Sequence, residues 1–201
     1  MLITKVQKNK DKQKTYSIFI DGDFNFDVSQ YDIHRLAIYE GRELNIEELA
    51  WIKHQARFAY AKNIAVNFIA YKLRTVNEVK KKLSDAYIEY EIIEEIIVYL
   101  TENGYLNDES YAEKFVAEKC KLSILSDKVL LYKMREKGIS QEIIEKVLIE
   151  NSHHEKDAAK KLIAKRIKGV GLEKKLEIKE LLYKKGFSVQ TINEILHELE
   201  E

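Results

Sequence analysis

The chain has 201 residues, 45% hydrophobic and 34% charged, long enough for a sizeable core but not for many independent domains. Thirty-four bases balance 34 acids, so the net charge is zero, and a strongly basic or acidic protein is excluded as a whole-chain property. With no Pro and only 7 Gly, a Pro-rich linker or a collagen-like segment is excluded too. One cysteine, Cys120, rules out an intramolecular disulfide and fits a reducing compartment. No apolar run reaches the roughly 18 residues of a membrane span, and the N-terminus has no signal-peptide core. Both features point to the cytoplasm.

The segment 1–28 reads as β-structure. Met1 to Gln7 alternates apolar and polar residues, and Lys8 to Lys14 is a charged loop. Tyr16 to Ile20 then leads into Asp21-Gly22, a hairpin turn because both residues tolerate positive φ, and Phe24 to Val28 alternates again as the return strand. From Tyr31 the pattern becomes helical. Asn45 with Glu48, and Thr75 with Glu78, have the spacing of capping boxes. The first predicts a helix over about 46–71, with a break near Phe58.

A motif then returns three times. Leu83 to Ile88, Met134 to Ile139 and Leu182 to Phe187 align without internal gaps, a period of about 50 residues. Each copy ends in an acidic helix rich in Ile and Leu: Ile93, Ile96 and Ile97; then Ile144, Val147 and Leu148; then Ile192, Ile195 and Leu196. The predicted helices are about 61–71, 76–86 and 89–102; 108–122, 127–137 and 141–150; 155–168, 173–185 and 189–200. Ser126, Ser140 and Ser188 are candidate N-caps. A repeat of this length implies one supersecondary unit stacked on itself, which suits an extended partner better than pocket chemistry. Three helices with a Gly turn before the third resemble helix-turn-helix units, although plain helical packing requires the same spacing. The fold expected is mostly α: three tandem three-helix repeats in an elongated curved body, with a small N-terminal β-hairpin-type segment. The divisions expected are 1–44, 45–106, 107–152 and 153–201.

Catalytic signals are weak. Gly169-Val170-Gly171 lacks the third Gly of a dinucleotide loop and the Gly-Lys-Ser/Thr end of a P-loop, and reads as an interhelix turn. His153 and His154 project about 100° apart on a helix and cannot chelate one metal together. No catalytic residue, metal site or cofactor is expected. The charge order is more informative. Residues 61–86 carry six bases against two acids, and 87–113 eight acids with no Lys or Arg. Residues 114–137 hold seven bases against three acids, 156–186 eleven against four, and 187–201 four acids with no Lys or Arg. The first two helices of each repeat are therefore basic and the third acidic. Stacking would gather the bases into a stripe able to neutralise phosphates. Its candidate contacts are Lys72, Arg74, Lys80, Lys81 and Lys82 in the first repeat. In the second they are Lys119, Lys121, Lys128, Lys133 and Arg135, and in the third Lys165, Arg166, Lys168, Lys174 and Lys175. Solubility and inter-repeat ion pairs are the alternative account of the same residues.

Residues 104–116 read Gly-Tyr-Leu-Asn-Asp-Glu-Ser-Tyr-Ala-Glu-Lys-Phe-Val. This resembles the Gly-Tyr-Leu-Asp-Asp-x-x-Tyr-Ala-x-x-Phe-Val signature of the RecX family, regulators of the RecA recombinase, with Asn107 the one departure. Tyr71 to Val79 is similar to the family's Tyr-Arg-x-Arg-Ser-x-x-Glu-Val segment, with Lys72 for an arginine, Thr75 for the serine and Leu73 where proline is common. The repeats and β segment match the family plan, so the resemblance covers nearly the whole chain. It implies a monomeric, non-enzymatic protein that binds the RecA nucleoprotein filament along its groove and limits its growth, in recombination, DNA repair and the SOS response. It also implies affinity for single- and double-stranded DNA. Tyr105, Leu106, Tyr111 and Phe115 are expected to pack the junction between repeats one and two, and Asp108 to support the N-terminus of the next helix. Where the family is often arginine-rich after the Phe, this chain has Glu118, Lys119 and Lys121, point charges rather than bidentate forks. A DNA-binding protein acting alone and a helical scaffold for another partner are the rival readings.

Overall fold

The computed structural model describes residues 1–10, 14–151, 153–167 and 174–199. It is mostly helical, with a three-stranded antiparallel sheet at the N-terminus and ten helices among the described residues. The chain divides into two compact units. The first is Met1–Lys72 with Val79–Tyr105, and the second is Leu73–Glu78 with Leu106–Glu201.

In the first unit, strands β1 (Ile3–Lys8), β2 (Thr15–Ile20) and β3 (Asp23–Ser29) pair in the order β1-β2-β3. Ile20 faces Asp23 across the two-residue turn, where Asp21 and Gly22 take φ of 51° and 97°. That is the tight hairpin geometry matching strand twist. The three segments read as β form one sheet, and a short helix α1 (Gln30–Arg35), which the helical pattern from Tyr31 had not delimited, follows it. Ile3, Ile18, Ile20 and Val28 bury against Leu36, Ile38, Leu44 and Ile52.

Helix α2 (Ile46–Ala70) starts at the Asn45 capping box and runs 25 residues. The expected break near Phe58 is absent. The segment has no Pro or Gly and is rich in Ala, the best helix former, and the Phe58 ring packs edge-on against Tyr99 at 6.3 Å. Helices α3 (Val76–Ser84) and α4 (Tyr90–Glu102) follow. Val79, Leu83, Ile93, Ile96 and Leu100 are buried with Ala61 and Ala65 of α2. Ile96 is fully buried, so Ile96→Asp is expected to cost several kcal/mol, about 3–5, by stranding a charge among aliphatic side chains. An unchanged melting temperature would contradict this packing.

The second unit holds α5 (Asp108–Leu122), α6 (Asp127–Glu136), α7 (Gln141–Glu150), α8 (His153–Arg166), α9 (Lys175–Lys184) and α10 (Val189–Glu198). Two clusters fill it. One gathers Ala112, Val116, Leu130, Met134, Ile139 and Ile144, and the other Ala159, Ile163, Ile178, Leu182, Phe187 and Ile192. Within each repeat the aligned Leu/Met at the end of the second helix and the Ile stripe of the third bury together, which is why these positions recur in sequence.

The repeats are joined by a polar device that itself repeats. Thr75 Oγ1 donates to the Lys137 carbonyl at 2.7 Å, and at the equivalent place in the next repeat Ser126 Oγ donates to the Lys185 carbonyl at 2.9 Å. Ser126 therefore does not cap its own helix with its side chain, as expected from sequence; Ser140 and Ser188 do cap theirs. The Val76 amide donates to Asp108 at 2.9 Å, and the Asp127 amide donates to Glu155 at 3.2 Å. The turn glycines have a second duty beyond their positive φ of 77° and 79°. A Cβ on Gly138 would stand 2.4 Å from the Asn77 Cβ, and one on Gly186 would stand 3.2 Å from Ser126 Oγ. The aligned position in the first repeat is Tyr87, also left-handed at φ 56°, with its side chain in solvent.

Candidate nucleic-acid and protein interface

The basic residues predicted to form one stripe fall into distinct environments. In the first unit Lys80 is held by Glu94 at 2.6 and 2.8 Å, Lys82 lies 5.9 Å from the centre of the Phe68 ring, and Lys72 and Lys81 are exposed. Reversing Lys81 and Lys82 is thus expected to leave stability near wild type. Lys80→Glu would set two carboxylates against each other and cost roughly 0.5–1 kcal/mol, small because the pair is partly solvated. Thermal melts of the two variants check this difference.

In the second unit several predicted contacts are also engaged internally. Lys119 lies 3.3 Å from Glu118 and over the Phe115 ring, Arg135 Nε donates to Gln141 at 2.9 Å, and Lys174 reaches Glu177 at 3.3 Å. Arg74 is half-buried, and Lys133 and Lys175 are partly covered. Lys128 packs its stem beside Gly186. Lys168 and the Gly169–Gly171 turn lie outside the described residues.

Lys121, Lys165 and Arg166, by contrast, converge on one cleft of about 430 Å³, together with Lys161 and Lys185, which the sequence reading did not single out. Its remaining wall includes Cys120, Leu122, Ile124 and Leu162. Burial and the charge of Asp127 push the Cys120 thiol up, so it is a packed thiol rather than a poised nucleophile. A larger cleft of about 610 Å³ in the first unit, between β3, α2 and the start of α4, includes residues of two internal ion pairs. Arg57 Nε donates to Glu89 at 2.8 Å and its Nη2 donates to the Tyr87 carbonyl, and Arg35 Nε donates to Asp32 at 2.8 Å.

The signature residues divide between packing and capping. Leu106 is buried, and Tyr111 and Phe115 stack at 6.2 Å against the second-repeat cluster. Tyr105 is 61% exposed and does not pack there, because the Gly104 turn at φ 73° leaves it outside the core. Asp108 is the first residue of α5, with its carboxylate in that helix's first turn, and it also supports the start of α3 by accepting from the Val76 amide. Asn107 caps α5 by accepting from the Ser110 amide at 2.8 Å, so the departure from aspartate keeps the capping oxygen. Burial and the charge of Glu78 hold the Asp108 carboxyl above its ordinary range.

Among the described residues, no group of three His, Cys, Asp or Glu side chains is placed to hold a metal ion, and no helix is long and apolar enough to cross a membrane. The recurring helical triplets define a helical-repeat protein with a local basic cleft. Family models described as the RecX first three-helix domain and the RecX second three-helix domain match residues 61–100 and 107–148. The regulatory protein RecX of Leuconostoc mesenteroides is 34% identical over 92% of this chain and 71% of its own length. That of Caldanaerobacter subterraneus subsp. tengcongensis is 32% identical over 98% and 99%. A crystal structure of RecX from Lactobacillus salivarius superposes with a TM-score of 0.64 at 32% identity, covering 72% of this chain and 97% of that one. A crystal structure of regulatory protein RecX, at 24% identity and 98% coverage of both chains, shares the fold with a TM-score of 0.70. The chain belongs to the RecX family.

Proposed function

We propose that this protein regulates a RecA-type recombinase by binding its nucleoprotein filament as a monomer, limiting filament growth with no chemistry of its own. Membership of the RecX family along almost the whole chain is the observation that carries this reading. The separation of basic and acidic helices supports it. Bases on the first two helices of each repeat suit DNA, single- or double-stranded, or an acidic filament surface. Exposed acids of α4 and α7, such as Glu91 and Glu142, suit basic protein surface, whereas Glu194 and Glu198 of α10 are held by Lys156 and Lys160. A chain lying across adjacent filament protomers would block monomer addition. The divisions 1–44, 45–106, 107–152 and 153–201 are the segments proposed to act in this binding, in the cytoplasm.

The test is co-sedimentation with RecA in the presence and absence of single-stranded DNA, alongside light scattering of filament assembly. Capture that depends on assembled filament, with slowed growth, is the expected result. Background capture in both conditions would overturn the proposal. The purified protein alone is expected to turn over no ATP.

A further inference from the structure

The two junctions between repeats are built alike but charged differently. At the first junction Lys137 is neutralised by Glu78 at 2.6 Å. Its counterpart in the next repeat is Lys185, and the counterpart of Glu78 is Val129, which carries no charge. Asp108 and Glu155 are equivalent by their contacts, and the same alignment relates Glu118 to Lys165 and Lys119 to Arg166. At two places, then, where the first junction has an acid, the second has none. Among the described residues the cleft there is lined by Lys121, Lys161, Lys165, Arg166 and Lys185, with no acidic side chain on its wall. None of the five makes an ion pair among those residues in the way that Lys137 and Lys119 do.

Five cations drawn together with no ion-pair partner among the described residues repel one another, and such an arrangement favours a bound polyanion. The chemistry of the rest of the wall narrows the ligand. Leu122 is 74% exposed at the rim, and Ile124 and Leu162 line the interior. An apolar surface beside a phosphate-binding group suits a base face next to its own phosphate. Only an unpaired strand offers base faces; in a duplex they are stacked away. The Arg166 guanidinium supplies a planar fork for phosphate oxygens, and the lysines supply mobile point charges.

We infer that the cleft formed by the end of α5, helix α8 and the end of α9 binds the backbone of a single-stranded nucleic acid. Its phosphates lie among Lys121, Lys161, Lys165, Arg166 and Lys185, with a base against Leu122. The inference rests on the DNA-affinity part of the proposed function and is independent of filament recognition.

The experiment is fluorescence anisotropy of a labelled oligothymidylate with the full chain, without recombinase, over a range of salt. Lys161→Glu with Lys185→Glu is expected to weaken binding at least tenfold at low salt. The slope of log affinity against log salt should fall by about 1.4, since each single-strand phosphate contact contributes about 0.7. Circular dichroism confirms folding, and Lys161→Gln with Lys185→Gln replaces the pair if the reversal unfolds the chain. Glu78→Gln, which keeps its helix-capping oxygen but releases Lys137, is expected to leave the slope or raise it slightly. Wild-type affinity and slope in the folded double variant overturn the site. Equal binding of a duplex of the same length, with equal loss in the variant, overturns the single-strand assignment. Tripolyphosphate displacing the strand at matched phosphate concentration would reassign the cleft to a free polyphosphate. Because Cys120 is the chain's only cysteine and lies on the cleft wall, its alkylation by a neutral maleimide should slow severalfold when the strand is bound. Co-sedimentation with preformed filament is read separately. Loss of that capture with intact strand binding refutes the filament reading and leaves the cleft standing.

Discussion

Gly138→Val is expected to destabilise the protein by about 3–4 kcal/mol. Two costs add. The backbone at Gly138 has φ of 77°, a conformation that costs a residue with a Cβ about 1–2 kcal/mol and a β-branched one more. The new Cβ would also stand 2.4 Å from the Cβ of Asn77, an atom fixed to the first turn of α3, so the clash cannot be relieved by turning a flexible side chain. The aligned substitution Tyr87→Gly is expected to act the other way. Tyr87 is already left-handed and 89% exposed, so glycine relieves strain while adding some unfolded-state entropy, for a net gain of roughly 0.5 kcal/mol. Urea unfolding of both variants measures this. A Gly138→Val midpoint equal to wild type would show that the turn does not seat against α3.

Glu155→Ala should cost a similar amount, about 3–5 kcal/mol, because it removes a buried acceptor from four donors at once. Glu155 is 4% exposed. It accepts from the amides of Asp127 and Ser188 at 3.2 Å each, from Ser188 Oγ at 2.7 Å and from Thr191 Oγ1 at 2.6 Å. It thus ties the starts of α6 and α10 to α8. The same carboxylate makes stability depend on pH through its neighbour. Burial first, and then the charge of Glu155, push the Asp127 carboxyl up from 3.8 to about 6. A carboxyl raised in the folded state holds its proton more tightly there than in the unfolded chain. Its effect is therefore a penalty that is complete above about pH 6 and disappears as pH falls toward 4. Asp127→Asn removes the penalty but also a favourable charge at a helix N-terminus, so a net gain of about 1–2 kcal/mol is expected at pH 7.5. Near pH 4 the variant and wild type should match. A gain independent of pH would point to a cause other than this carboxyl.

The periodic features were legible in the sequence because they are set locally. Alternation marked the strands, Asp21-Gly22 marked a turn that only residues tolerant of positive φ make well, and the Ile and Leu stripes at helical spacing marked the faces that bury. The Asn45 and Thr75 boxes formed as spaced, since a cap and its partner lie close along the chain. The break expected near Phe58 did not occur, because helix propensity and packing against Tyr99 carry α2 through that point.

The candidate site was only partly legible. Lysine density located the basic helices, but charge order along a chain cannot tell a paired lysine from an unpaired one. Lys80 meets Glu94 on a different helix, and Lys137 meets Glu78 from a different repeat; such pairs arise only when separate helices are brought side by side. Lys161 and Lys185 become part of a site for the same reason, far apart in sequence yet on one cleft wall. Asp108 reads from sequence as a carboxylate supporting the start of α5, and only the fold shows that it also accepts from the Val76 amide. The sequence by itself determined the elements, the repeat, the buried stripes and the family, all consequences of short-range periodicity and local backbone preference. The tertiary structure decided which charges cancel and which remain, because electrostatic partnership depends on distance in space.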